Sequence, residues 1–316
     1  MVRGDWCLVP NAHPPVTPNL PKSSPISQLS TLNSQIIKTF NLKSMEAIKN
    51  FDELIAFLEQ RGDRKRVAVV WGSDSSTQHA VTKALEHGFI EAVFVGCRTE
   101  VEANERLMAH VRHIDFVETD DKDEAARLAV EMIRDGKADI LMKGMINTDN
   151  LLKAVINKQT GILPQGKVLT HVAAAFIPGY PKMLCFTDAA VIPYPTQQQR
   201  IAQVNYMAYV CHAMGIDEPR IALCHCSEKV QEKHFPFTAG YREIVEMAAE
   251  GQFGRCIVDG PMDVKCACST ENMLSKGIQS PVNGEADALI FPDIEAGNSF
   301  YKTITLFCNA DTAAIL

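Results

Sequence analysis

The chain has 316 residues, 46% apolar and 22% charged, the mix of a soluble globular protein with room for two domains or one large one. Its 31 Lys and Arg against 38 Asp and Glu leave a formal charge of −7 without a basic cluster, which argues against a nucleic-acid partner, and no run of eighteen apolar residues offers a membrane-spanning helix. Ten cysteines in so long a chain read as reduced thiols of a cytoplasmic protein rather than a disulfide framework.

Residues 1–44 carry Pro10, Pro14, Pro15, Pro18, Pro21 and Pro25, six serines and a single acidic residue, with no sustained apolar period. That composition predicts a disordered or surplus N-terminal extension. Met45 opens MEAIKNFDELIAFLEQRG (45–62), helical through Ile48, Leu54, Ile55 and Leu58, and is the expected start of translation.

From there strands alternate with helices. RVAVVW (66–71), EAVFVG (91–96), HIDFVET (113–119) and ADILMKG (138–144) read as buried strands, interleaved with helical stretches such as 77–88 and 123–136. NTDNLLKAVI (147–156) reads as a capped helix with Leu151, Leu152 and Val155 on one face, so Lys143-Gly144 marks a strand-to-helix junction. Free N–H groups at such a helix start favour an anion, and Lys143 adds a full charge.

A first α/β domain is therefore expected over 45–164 and a second over 165–316. The second begins with two runs that can pair as a hairpin, KVLTHVAAAF (167–176) and KMLCFTD (182–188), joined by IPGYP. Helix 196–215, strand 220–225, helix 239–251, strands 255–260 and 287–293 and helix 296–307 follow. The fold class is α/β, with parallel-type sheets flanked by helices.

Polar residues at the carboxyl ends of such strands surround the ligand. Here they are Gly72-Ser73-Asp74, Lys143-Gly144, Thr170-His171, Thr187-Asp188, His225, Asp259-Gly260 and Pro292-Asp293, a set suited to a phosphate-bearing ligand. No GxGxxG follows a strand, and neither a P-loop nor a GxSxG elbow occurs. Cys224/Cys226 and Cys266/Cys268 lack zinc-knuckle spacing, and alternate residues of a strand face opposite ways, so no metal site is expected.

The series LMKG to LLKAV (141–155), TDAAVIPYPTQQQ (187–199), GQFGRCIVDGPM (251–262) and FPDIEAGNSFYK (291–302) resembles the phosphate acetyl/butyryl transferase family, more closely its phosphate butyryltransferase branch. The resemblance implies two α/β domains with an interdomain cleft, isocitrate/isopropylmalate dehydrogenase-like, and reversible transfer of a short acyl group between coenzyme A and phosphate. Acyl-CoA and phosphate are then the partners, CoA a substrate rather than a permanently bound cofactor, and a homo-oligomer is expected. Lys143, Gly144, Thr148, Lys153, Thr170, Asn298 and Lys302 become the expected substrate-binding residues, with Asp188 and His171 as candidates for the chemistry. Lys143, Thr148 and Lys153 are expected together at one helix start, and Asn298 and Lys302 one turn apart on one face.

In the family a further strand and a Ser-Arg segment with a downstream acidic residue follow the AGN.FYK helix. This chain ends at DTAAIL (311–316), so those groups cannot be assigned, the C-terminus reads as truncated, and weak binding with little turnover is expected. A noncatalytic acyl-CoA-binding regulatory module of the same fold and a phosphate acetyltransferase are the alternatives, with a nicotinamide dehydrogenase a distant third.

Overall fold

The computed structural model describes residues 8–10 and 46–316. The expectation of disorder over 1–44 lies outside the described residues except at Leu8–Pro10, a short strand, β1. The described residues form two compact units, one of 8–10, 52–169 and 313–316 and the other of 46–51 and 170–312.

In the first unit, β2 (Lys65–Val70), β3 (Ile90–Gly96), β4 (Ile114–Glu118) and β5 (Ile140–Lys143) lie parallel in the order β4-β3-β2-β5. β1 adds antiparallel to β5. β2, β3 and β5 are largely buried and correspondingly rich in apolar residues, while the edge strand β4 keeps Asp115 and Glu118 exposed. Alternate residues point to opposite sides. Ala68, Val70, Val93 and Val95 pack in one core cluster with Ala125, Ala129, Val130 and Ile133 of helix α5 (Lys122–Arg134). Val67, Val69, Ala92 and Phe94 pack in another with Ala80, Val81 and Leu85 of α2 (Ser75–Glu86). Asp74 and Asp121 cap these helices, accepting from Thr77 N (2.8 Å) and Asp123 N (2.7 Å), so each helix starts where a carboxylate meets its free N–H groups.

The first helix, α1, begins later than expected, at Phe51, and ends at Arg61. Ile48, ahead of that helix, is buried and donates its N–H to Met214 O at 2.9 Å.

In the second unit the expected hairpin is present: β6 (Val172–Phe176) pairs antiparallel with β7 (Leu184–Thr187), Ala174 opposite Cys185. β8 (Arg220–Cys224), β9 (Ile257–Met262) and β10 (Ala288–Ile290) complete the order β6-β7-β10-β8-β9. β10, which follows β9 in sequence, therefore lies between β7 and β8, parallel to both. Asp287, just before it, accepts from Lys182 Nζ (2.6 Å) and Arg220 N (2.8 Å), while its own C=O accepts from Cys185 N (2.8 Å). Helices α7 (Gln197–Ala213), α8 (Ala239–Ala249) and α11 (Ile294–Phe307) flank the sheet. Among the described residues no helix is long and apolar enough to cross a membrane.

Candidate active site

The polar centre of the second unit is built on Asp188, which follows β7 and is 1% exposed. Its Oδ1 accepts from the N–H groups of Ala190 (2.8 Å) and Val191 (2.9 Å). Its Oδ2 accepts from the Thr170 hydroxyl (2.7 Å) and from the N–H groups of Ile192 (3.1 Å) and His171 (3.3 Å). A buried carboxylate needs such donors in place of water. One oxygen shapes the turn over residues 190–191, and the other joins that turn to the segment leading into β6. A carboxylate has about four acceptor sites, so Asp188 is fully hydrogen-bonded within the protein.

Thr170, giving its proton to Asp188, accepts from Gln203 Nε2 at 3.2 Å and lies 3.2 Å from the Thr187 hydroxyl. The His171 ring is buried, tilted against Tyr301 with centroids 6.3 Å apart. Gly297, in the first turn of α11, brings that helix against the Asp188 carbonyl, where a Cβ would overlap the oxygen. Asn298 then donates Nδ2 to Ala189 O at 2.9 Å. The structure thus brings together four expected residues: Thr170, His171, Asp188 and Asn298. Lys302 is exposed on the same helix, its Nζ 4.7 Å from the Tyr301 ring centroid.

The other expected residues lie in the first unit. Gly144 donates its N–H to Val70 O at 2.8 Å, and its missing side chain lets the Trp71 carbonyl approach, where a Cβ would collide. Trp71, turning out of β2 with φ 54, is in the left-handed region. Lys143 is half-buried, and among the described residues its Nζ reaches only the Gly144 carbonyl, at 3.4 Å, which leaves donors for a ligand. Lys122 supplies a second cation to this turn, donating to Met145 O at 3.0 Å with its Nζ 5.2 Å over the Trp71 ring. Thr148 is the first residue of α6 (Thr148–Val155), exposed, with Asn147 as cap accepting from Asp149 N at 2.9 Å. Lys153 is not at that helix start. A helix of eight residues puts it in the last turn, on a groove of about 320 Å³ shared with Asp123, Arg127 and Glu131.

Neither CxC pair is drawn into a four-thiolate set. Instead Cys266 meets Glu228 and Asp263, but Lys276 Nζ lies 2.6 Å from a carboxylate oxygen of each, so an ammonium holds the place a cation would take. Burial pushes the Cys266 thiol up to about 11, which keeps it protonated near neutrality.

Two polar residues of α7, Gln203 and Arg200, are buried without any motif in the sequence to mark them. The inward positions Val204, Met207, Ala208 and Cys211 carry the apolar period, and extending it backwards places 203 and 200 on the same face. Arg200 is 3% exposed, with its guanidinium 4.7 Å over the Phe237 ring and 5.7 Å from Tyr241.

The family described as "Phosphate acetyl/butaryl transferase" matches residues 114–313, well over half of the chain. The chain belongs to the phosphate acetyl/butyryl transferase family. Its relatives include a phosphate butyryltransferase of Clostridium beijerinckii, 34% identical over 269 residues, covering 85% of this chain and 88% of that one. A phosphate acetyltransferase of Thermotoga maritima is 34% identical over 257 residues, covering 81% and 86%. The solved structure of a branched-chain phosphotransacylase from Enterococcus faecalis V583 superposes with a TM-score of 0.69 at 29% identity, covering 79% of this chain and 87% of that one. All the transferase candidates from Lys143 to Lys302 fall inside the matched segment.

Proposed function

We infer that this protein is an acyltransferase that moves a short acyl group between coenzyme A and inorganic phosphate. The observation that carries this reading is the 34% identity to a phosphate butyryltransferase across 88% of that enzyme. A phosphate oxygen adds to the thioester carbonyl carbon, the C–S bond breaks, and acyl phosphate and CoA result, the thiolate taking the proton that monohydrogen phosphate brought. Both reactants are anionic, so the reaction needs cations and fixed N–H donors.

In this reading Lys143, Gly144 and Thr148 contact an anionic substrate group at the α6 start, supported by the spare donors of Lys143 and by Lys122 beside it. Thr170, His171 and Asn298 form the second contact region, the first two held by Asp188 and Asn298 by the Ala189 carbonyl, and Lys302 adds an exposed cation. Lys153, on the far turn of α6, is left out. Two functional domains, 45–164 and 165–316, with substrates bound in an isocitrate/isopropylmalate dehydrogenase-like cleft and no resident cofactor, belong to the same proposal. So do a cytoplasmic location, supported by nine free thiols among the described residues, and a homo-oligomer, supported by exposed Leu306 and Phe307, the latter 76% accessible.

The test is thiol release from acetyl-, butyryl- and longer acyl-CoA with and without phosphate. Phosphate-dependent release is expected. Acyl-CoA binding without such release would overturn the enzyme reading in favour of a binding module.

A further inference from the structure

Arg200 is the fourth residue of α7, whose start carries a reciprocal cap between Thr196 and Gln199. Its guanidinium lies among aromatic faces, Phe237 and Tyr241, rather than in a carboxylate ion pair, and its Nη1 is buried with no hydrogen-bond partner among the described residues. Tyr241 acts on it electrostatically ahead of Asp293, which spends Oδ1 on capping α11 through Ala296 N at 2.9 Å. Burial pulls the guanidinium pKa down, yet an arginine stays charged in a protein. A buried cation with a donor unspent is costly unless an anion reaches it.

Three features favour a phosphoryl group as that anion. The guanidinium is a planar fork whose paired N–H groups match phosphate oxygens. The guanidinium already packs against the Phe237 and Tyr241 rings, so little freedom is lost when a ligand binds. The start of a seventeen-residue helix adds favourable potential for negative charge. Phe237 belongs to the stretch between β8 and α8, irregular from His225 to Phe235 and then a single short turn, a long connection of the kind that can move aside for a ligand.

We propose that Arg200 is a substrate-binding residue of the acyl-transfer reaction, holding a phosphoryl group in the second unit. The proposal rests on the acyltransferase reading, and two sources of that group exist: inorganic phosphate, which is also the phosphoryl end of acyl phosphate, and the phosphates of CoA.

The experiment compares the full chain with Arg200→Met and Arg200→Lys, using inorganic phosphate alone as the probe at matched ionic strength. Ligand that binds only the folded state raises Tm. Phosphate is expected to raise the wild-type Tm, Arg200→Met to abolish that rise, and Arg200→Lys, which keeps the charge but loses the fork, to retain part of it. Without phosphate, Arg200→Met is expected to melt no lower than wild type, because an uncompensated buried charge has gone. In turnover, Arg200→Met should raise KM for phosphate at least tenfold and leave KM for acyl-CoA within twofold. A rise in KM for acyl-CoA instead assigns the phosphoryl group to CoA, with the chemistry of the site retained. A wild-type Tm indifferent to phosphate together with an unaltered KM for both substrates in the variants overturns the proposal and leaves Arg200 a structural residue bonded to water. If phosphate raises Tm through Arg200 but no thiol is released, the acyltransferase reading fails and the phosphate site stands.

Discussion

Gly297 in α11 and the backbone carbonyl of Asp188 occupy neighbouring space so tightly that a single methyl group on the glycine would overlap the oxygen. Backbone faces backbone, so neither side can swing away. Gly297→Ala is expected to cost about 1–3 kcal/mol, as overpacked sites do, and to displace Asn298 from Ala189. Urea unfolding measures the loss, and a variant as stable as wild type would show that the helix adjusts freely.

Asp188→Asn keeps the shape of the side chain but turns one acceptor into a donor facing N–H groups or the Thr170 hydroxyl. Breaking a buried charged network in this way typically costs about 3–5 kcal/mol. The expected outcome is a large loss of stability with activity falling only in proportion to the folded fraction. A stable but inactive Asp188→Asn protein would instead make the carboxylate a participant in the chemistry.

Lys143→Met removes a charge that bonds weakly within the protein, so stability should change by less than about 0.5 kcal/mol. Affinity for phosphate or CoA should weaken by roughly 1–2 kcal/mol as a charge-assisted contact disappears. Equilibrium titration checks this, and unchanged affinity would return the Lys143-Gly144 turn to an ordinary connection.

His225, at the end of β8, packs edge-on against Phe235 and Phe237, and burial pushes its imidazole below the ordinary histidine value while Glu228 pulls weakly the other way. The folded state therefore prefers the neutral ring, and the unfolded chain takes up the proton first. This contribution to stability is complete above about pH 6.5 and is lost as pH falls through that value toward the lower folded pKa. Between pH 7.5 and 5.5 the Tm of wild type should drop further than that of His225→Phe. Equal drops would assign the acid sensitivity to other groups.

The first unit was legible from its residues because strands buried on both faces are largely apolar, and short β-branched runs such as Val67–Val70 recur between helical stretches. The Ile177–Pro181 turn made the hairpin legible in the same way. The site was legible only in part. Thr170 and Asp188 sit at element ends, where polar residues stand out against apolar runs, and Asn298 stood out only through the resemblance of FPDIEAGNSFYK to the family. Gln203 and Arg200 sit inside a helix, where a polar residue at an inward position looks like a break in the pattern until tertiary contacts show what it meets. Lys122 was missed because its partner, the Met145 carbonyl, is twenty-three residues away. Lys153 was misplaced because the length of α6, not its composition, decides which turn it occupies.

The position of β10 has a consequence for synthesis. β7 and β8 cannot become part of one sheet until the strand that separates them exists, and about sixty residues lie between Cys224 and Ala288. At about 5–20 residues per second, a nascent chain holds β7 and β8 as unjoined pieces for several seconds. Their facing edges are bare for that time, and Asp287, which later bonds Lys182 and Arg220 at once, arrives together with the strand that closes the gap. The middle of the second unit is therefore made late, and the interval before Asp287 emerges is when a nascent chain is most open to pairing with another.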